Sequence, residues 1–206
     1  MQSDSTLDFA TLHRVAKLVT RNADTLFDVS TYPTEQARQS AKQTRALGIG
    51  ILRFADALQR MHYPFDSARA RLLNKIIFET IYHAALEAST DLAVEHGPYP
   101  SWHGCAAERN ELQYDMWDSQ PTDMYDFRTL KSRIVTFGLR NATLTAQPAG
   151  STVGAIFGFQ NSTDPHDRRV SQDNMLLNVE PDFVISTAIS AHQIHPLQRS
   201  SCFALL

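Results

Sequence analysis

Cysteine is nearly absent from this chain of 206 residues: Cys105 and Cys202 are the only two thiols. Two are too few for a disulfide framework, so both are expected to be reduced and structurally incidental. A long apolar run is missing as well. No stretch approaches the roughly 20 apolar residues that span a bilayer, and Met1-Gln2-Ser3-Asp4 has neither the basic start nor the apolar centre of a secretory signal. Both absences point to the cytoplasm and away from a membrane. Nor is one sign of charge in excess. With 19 basic against 22 acidic residues and a formal net charge of -3, no diffuse positive field draws the chain to nucleic acid or to an acidic lipid surface. Internal repeats and low-complexity segments are lacking too.

What is present is ordinary globular material, 43% hydrophobic and 20% charged, enough for one domain with a sizeable core. From Asp8 to about Asp24, Leu12, Val15, Ala16, Val19 and Ala23 recur at three- and four-residue steps. That spacing predicts an amphipathic helix with Asp8 available as its cap. Tyr32 to Arg45, polar and interrupted by Pro33, reads as a connector. The apolar run Ala46-Leu47-Gly48-Ile49-Gly50 then reads as a buried strand passing into a helix that carries Ile51, Ala55 and Leu58.

The strongest local pattern lies between Ser67 and His96. There Leu73, Ile76, Ile77, Thr80, Ile81, Ala84, Ala85, Ala88 and Leu92 form a continuous helical stripe. Asp66 or Ser67 can cap its start, and Gly97-Pro98 stops it. Tyr99 to Gln120 reads as a turn-rich connector. Pro121-Thr122-Asp123 reads as the start of a helix with Phe127, Leu130 and Ile134 on one face and Gly138 at its end. Leu139 to Ala146 reads as a second strand, followed by the small-residue turn Pro148-Ala149-Gly150-Ser151-Thr152 and a short helix through Ile156. Helices alternating with short buried strands predict an α/β domain. Beyond Ile185 no period persists.

Metal-ligand patterns are weak. His96, His103 and Cys105 share a turn-rich connector without a fourth ligand at suitable spacing, so solvated loop residues are the better reading. Asp115, Asp118, Asp123 and Asp126 form an acidic cluster, of which Asp123 fits a helix start and the others fit water-facing positions. No metal site is expected.

Several motifs stand in an order that carries more information than any one of them. They are Val19-Thr20-Arg21-Asn22, Tyr32-Pro33, Arg45-Ala46-Leu47-Gly48-Ile49-Gly50 with Phe54-Ala55-Asp56-Ala57, and Leu72 through Tyr82. Ala84 through Ser89, His96-Gly97-Pro98-Tyr99, Leu112 through Trp117, Pro121-Thr122-Asp123 and Gly138-Leu139-Arg140-Asn141 follow. Together they resemble the large subunit of class I ribonucleoside-diphosphate reductase, most closely its eukaryotic-type members. Matches of this density, with the infrequent Tyr114, Met116 and Trp117 among them, are more specific than a short motif.

The resemblance implies an α/β fold, helix-rich, forming part of the family's ten-stranded barrel over residues 9–184, with 185–206 a poorly specified tail. It implies an inherited role in reducing ribonucleoside diphosphates to deoxyribonucleoside diphosphates. It also implies that Ala149, Gly150, Ser151 and Thr152 hold the substrate diphosphate, where the family has a Pro-Thr-Ala-Ser-Thr turn. Ser151 and Thr152 keep the hydroxyls and Ala149 replaces the first threonine. On the residues alone, helix capping by Ser151 and Thr152 is the commoner explanation.

The family's thiyl-forming cysteine, redox cysteine pair, effector-binding domain and radical-relaying tyrosines have no counterpart in the matching segments. The chain alone is therefore expected to be inactive, with no catalytic residue and no cofactor of its own. The complete enzyme needs a small-subunit radical and a dithiol reductant. The partners implied are a ribonucleoside diphosphate and the large and small reductase subunits. A second reading is a non-catalytic module that binds a full-length reductase subunit or another protein.

Overall fold

In the computed structural model, which describes residues 7–147, 150–157 and 163, seven α-helices follow one another. Asp8 caps α1 (Phe9–Val29) as expected, its carboxylate accepting Thr11 N at 2.9 Å, and the helix runs past Asp24 to Val29. The segment read as a connector contains α2 (Glu35–Thr44), which buries none of its residues. Its stability is local. Thr34 Oγ1 accepts Ala37 N at 3.2 Å, and the Glu35 carboxylate accepts Arg38 Nε at 2.7 Å and Gln39 Nε2 at 3.1 Å. Arg45 ends α2 in the left-handed region, φ 44°.

The remaining helices are α3 (Phe54–Arg60), α4 (Ala68–His96), α5 (Gln113–Met116), α6 (Phe127–Phe137) and α7 (Ser151–Phe157), with a single 3-10 turn at Ala107–Arg109. Ser67 is the residue that caps α4, its hydroxyl accepting Ala70 N at 3.1 Å, and Gly97 closes the helix at φ 80°. The helix start read at Pro121 is displaced. Asp126 is the cap of α6, accepting Thr129 N at 3.0 Å, while Thr122 is held elsewhere, its N–H and hydroxyl both donating to the buried Glu79 carboxylate at 2.8 Å. Gly138 ends α6 at φ 80°, where a Cβ would stand 2.8 Å from that of Pro98.

The α/β expectation fails at its strands. The segments 46–50 and 139–146 meet in one isolated parallel bridge between Ile49 and Thr145, and no strand forms among the described residues. Around the bridge the bonds are those of parallel pairing, Ile49 N to Leu144 O at 2.9 Å and Ala146 N to Ile49 O at 3.1 Å. Two residues earlier, Leu47 N donates to Thr143 O at 2.9 Å, so the acceptor advances by one residue where a ladder requires two. The Thr143 hydroxyl takes the Leu47 carbonyl at 2.8 Å in place of a backbone donor. The register slips, and the ladder ends there. The partial ten-stranded barrel implied for residues 9–184 is thus corrected: the described residues are helix-rich and form no barrel, and the tail 185–206 lies outside them.

The chain divides into two compact units. Among the described residues one unit holds Leu7, 50–75 and those from 147 onward. In it Phe54, Ala55, Leu58 and Ala70 are buried, Phe54 meets the edge of Phe65 at 6.2 Å, and Ala55 N donates to Thr163 O at 3.2 Å. The other holds 8–49 and 76–146, with a core of Leu86, Tyr99, Trp102, Leu112, Tyr114, Phe127, Leu130 and Ile134. In this second unit α4 buries more than a stripe. Thr80 and Thr90 are enclosed with their hydroxyls returned to Ile76 O and Leu86 O at 2.7 and 2.8 Å, which satisfies them inside the core. No helix among the described residues is long and apolar enough to cross a membrane.

Candidate functional site

Of the four residues expected to hold a diphosphate, Ala149 lies outside the described residues, as does the side chain of Ser151. Gly150, Ser151 and Thr152 form the opening of α7, where Gly150 O accepts Gly154 N at 2.7 Å. The first N–H groups of any helix lack acceptors within it, and the Thr152 side chain is exposed beside them. A Cβ at Gly150 would lie 2.6 Å from Leu52 Cδ1, 3.1 Å from Cδ2 and 3.4 Å from Cγ, so the whole isobutyl group would have to move. The segment at Leu52 is fixed by Gln147, whose amide accepts Ile51 N at 3.1 Å and donates to Ile51 O. Such a turn can receive an anion through backbone donors and hydroxyls. Gly150–Phe157 contains no titratable side chain, so these residues offer no general acid or base.

Nine residues before Gly150, the fully buried Asn141 is the centre of a polar network in the second unit. Its Oδ1 accepts Ser89 Oγ at 2.9 Å, and its Nδ2 donates to Asp24 Oδ1 at 2.8 Å and to Arg45 O at 3.0 Å. Ser89 Oγ in turn accepts the N–H groups of Arg140 and Asn141 at 3.0 and 3.1 Å. Arg45 donates through Nε to Asp24 Oδ1 at 2.8 Å and through Nη2 to Asp24 Oδ2 at 2.9 Å, while Nη1 and Nη2 reach Asp28 at 3.0 and 2.8 Å. Burial works against the Arg45 charge, but hydrogen bonds to Asp28 and Asp24 outweigh it and hold its pKa above the ordinary arginine value. Bonding to Arg45 holds the Asp28 carboxyl below its ordinary value. The bonds of this network fix α1, the end of α2, α4 and the segment at Asn141 to one another.

A second cluster joins α1 to α4. His13 Nε2 lies 3.1 Å from His83 Nδ1 and 3.6 Å from Glu87 Oε2. Among the described residues this is the group of three His, Cys, Asp or Glu whose ligand atoms converge, all within 4.8 Å. Burial pushes the His83 pKa down to about 4, helped by His13 and opposed by Glu87. Burial also lowers that of His13. The sequence reading passed over these residues, although His83 and Glu87 stand one helical turn apart, a spacing at which side chains share a face.

The residues weighed earlier as ligands are not brought together. His96 is exposed at the end of α4, and His103 is exposed and paired with Glu108 at 3.0 Å. Cys105 is half-buried with its Sγ accepting Glu108 N at 3.4 Å, and Cys202 lies outside the described residues. The acidic cluster resolves into separate local roles. Asp126 caps α6, Asp115 accepts Leu112 N at 2.7 Å at the start of α5 and pairs with Lys131, and Asp118 and Asp123 are exposed. Asp123 therefore has no helix-start role.

The sequence matches, over residues 1–192, the family described as "Ribonucleotide reductase, barrel domain". It is 41% identical over 174 residues to a protein of Danio rerio named ribonucleoside-diphosphate reductase large subunit, covering 84% of this chain and 22% of the relative. A Caenorhabditis elegans protein of the same name is 43% identical over 169 residues, 82% of this chain and 21% of the relative. A Schizosaccharomyces pombe ribonucleoside-diphosphate reductase large chain is 42% identical over 173 residues, 84% and 21%. The chain spans about a fifth of the length of these curated relatives.

Proposed function

The chain belongs to the ribonucleotide reductase barrel-domain family, and on that premise we infer that its inherited role lies in reducing ribonucleoside diphosphates to deoxyribonucleoside diphosphates for DNA synthesis. The observation that carries this reading is where the family-like motifs sit. Arg45, Glu79, Ser89, Thr122 and Asn141 all belong to motifs through which the sequence resembles the large subunit, and all take part in buried or half-buried polar bonds. The likeness therefore includes residues whose loss would disturb the structure, and Gly150 comes nine residues after the last of them.

The part assigned to this segment is to hold the substrate. Backbone N–H groups at the start of α7, with the Ser151 and Thr152 hydroxyls and the turn at Ala149 and Gly150, receive the diphosphate, while base and ribose make little difference. No cysteine precedes Cys105, so the reacting thiols, the small-subunit radical and the dithiol reductant come from outside this segment, as do the rest of the large subunit and the small subunit that it works with.

Calorimetry tests the assignment. ADP and CDP should bind alike, adenosine should not bind, and Ser151→Ala with Thr152→Ala should weaken ADP. If adenosine binds as well as ADP, or the double variant binds ADP unchanged, the diphosphate role is wrong. The same lack of an early cysteine favours a second reading, a non-catalytic module that associates with a reductase subunit. Co-sedimentation with purified large and small subunits, without nucleotide, separates the two.

A further inference from the structure

The geometry points to a divalent-metal site of the zinc type at His13, His83 and Glu87, joining α1 to α4 within the second unit. Two imidazoles and one carboxylate are a donor set suited to zinc and the later first-row ions, and poorly suited to magnesium or calcium, which prefer oxygen. Zinc holds imidazole nitrogen at about 2.0–2.1 Å and carboxylate oxygen at about 2.0–2.2 Å, so two ligands at a tetrahedral angle stand about 3.3–3.5 Å apart. Here the two nitrogens are 3.1 Å apart and the His13 nitrogen is 3.6 Å from Glu87 Oε2. All three ligand atoms lie within 4.8 Å of one another, so side-chain movement that closes the His83–Glu87 separation brings them onto one ion. At 3.6 Å the carboxylate oxygen is too far from the imidazole for a hydrogen bond, so the pair of histidines by itself does not account for where Glu87 points.

The surroundings hold the three ligands in place. Lys17 Nζ binds the other oxygen of Glu87 at 3.0 Å, leaving Oε2 toward the histidines, and also reaches Asp91 at 3.5 Å. Asp91 is balanced by Arg133 at 2.8 Å. Tyr125 stacks on both imidazoles, with ring centroids 5.4 Å from His13 and 4.7 Å from His83, and Phe127 meets His83 edge-on at 5.1 Å. Ring planes fixed in this way are what outer-shell groups supply in metal sites. Lys17 opposes the ion electrostatically and limits its affinity. His13 and Glu87 are 20% and 28% exposed at the side chain, which leaves an entry path and a fourth position for water. The site is a cross-link between two helices rather than a catalytic centre.

The test uses the full chain with Co2+ as the optical probe and Zn2+ as competitor. One Co2+ per chain should bind with visible absorption of a nitrogen- and oxygen-ligated ion, Zn2+ should displace it, and Mg2+ and Ca2+ should not. Loss of an outer-shell partner alone costs about tenfold or more in affinity, so His13→Gln and Glu87→Gln should each weaken binding by at least that, while His103→Gln should leave it unchanged. A variant that fails to fold is replaced by nitrogen-15 NMR on the unaltered chain, in which Zn2+ should shift the imidazole resonances of His13 and His83 and not those of His103. No stoichiometric binding, unchanged affinity in a folded His13 or Glu87 variant, or shifts at other histidines would overturn the site.

Discussion

Replacing Asp24 with asparagine should cost about 3 kcal/mol of stability, although it alters a single atom of the side chain's outline. Every group facing the Asp24 carboxylate is a donor: Arg45 Nε and Asn141 Nδ2 on Oδ1, and Arg45 Nη2 on Oδ2. An amide has only one oxygen, so whichever way the introduced side chain turns, its NH2 confronts a donor. Water cannot relieve the mismatch, since the side chains of Arg45 and Asp24 are only 4% and 5% exposed. Breaking a buried pair from one side costs about 3–5 kcal/mol, because the remaining charge stays buried. The lower end applies here, since Asp28 still accepts two bonds from Arg45. Asp28, 52% exposed, provides the control: Asp28→Asn should cost less than about 1 kcal/mol. Both tryptophans, Trp102 and Trp117, lie in the second unit, so urea unfolding followed by their fluorescence reads the unit that holds the network. For a chain of this size about 3 kcal/mol corresponds to roughly 6–12 °C in Tm. Equal costs for the two variants, or an Asp24→Asn cost below about 1 kcal/mol, would refute the view that the network bears on stability through buried charge.

Three further outcomes are expected. Because bonding to Arg45 depresses the Asp28 pKa, the stability Asp28 contributes is present above its ordinary value of 3.8 and is lost as pH falls through the lower folded value; the difference between wild type and Asp28→Asn in urea titrations should shrink with acidification, and a difference that grows contradicts this sign. Glu79→Ala should cost about 1–3 kcal/mol, since the N–H and hydroxyl of Thr122 then both lose their acceptor, and it should be non-additive with Thr122→Val in the same fluorescence assay; strict additivity would mean that the two side chains do not interact. The purified chain, mixed with a small subunit and a dithiol reductant, should form no deoxynucleotide from ADP, CDP, GDP or UDP, and product above a no-protein control would show that the thiol chemistry lies within this segment.

Helices whose stability is carried by burial and clear end signals were legible: Asp8, Ser67 and Gly97 do in the structure what their residue types imply. The α2 segment was not, because nothing in it is buried and periodicity of apolar residues is silent about a helix held by Thr34 and by Glu35 with its neighbours. Pro121-Thr122-Asp123 and Asp126-Phe127 carry equivalent start signals, and the choice between them is made by Glu79, a residue far away in sequence that claims Thr122. The strand readings failed for a related reason. Apolar runs at 46–50 and 139–146 identify segments that pair, but not the one-residue slip at Leu47 that ends the pairing. For the site, the family-like motifs singled out the turn at Gly150; they include Arg45, Ser89 and Asn141 but gave no sign of the polar network that joins these residues. The approach of His13 to His83 spans 70 residues and leaves no local trace.

The spans in the Asn141 network also set a schedule for synthesis. Its bonds join residues separated by 21, 52 and 117 positions. At about 5–20 residues per second on the ribosome, roughly 6–23 s pass between the addition of Asp24 and that of Asn141. During that interval Asp24 and Arg45 can pair, but Ser89 and the remaining acceptor on Asp24 wait for a partner not yet made. Among the described residues, the unit that holds 8–49 is interrupted by residues 50–75 and is completed only when position 146 has been added. A premature stop before Asn141 therefore releases a chain in which Asp24 and Arg45 can pair while the donor that completes Asp24 is missing.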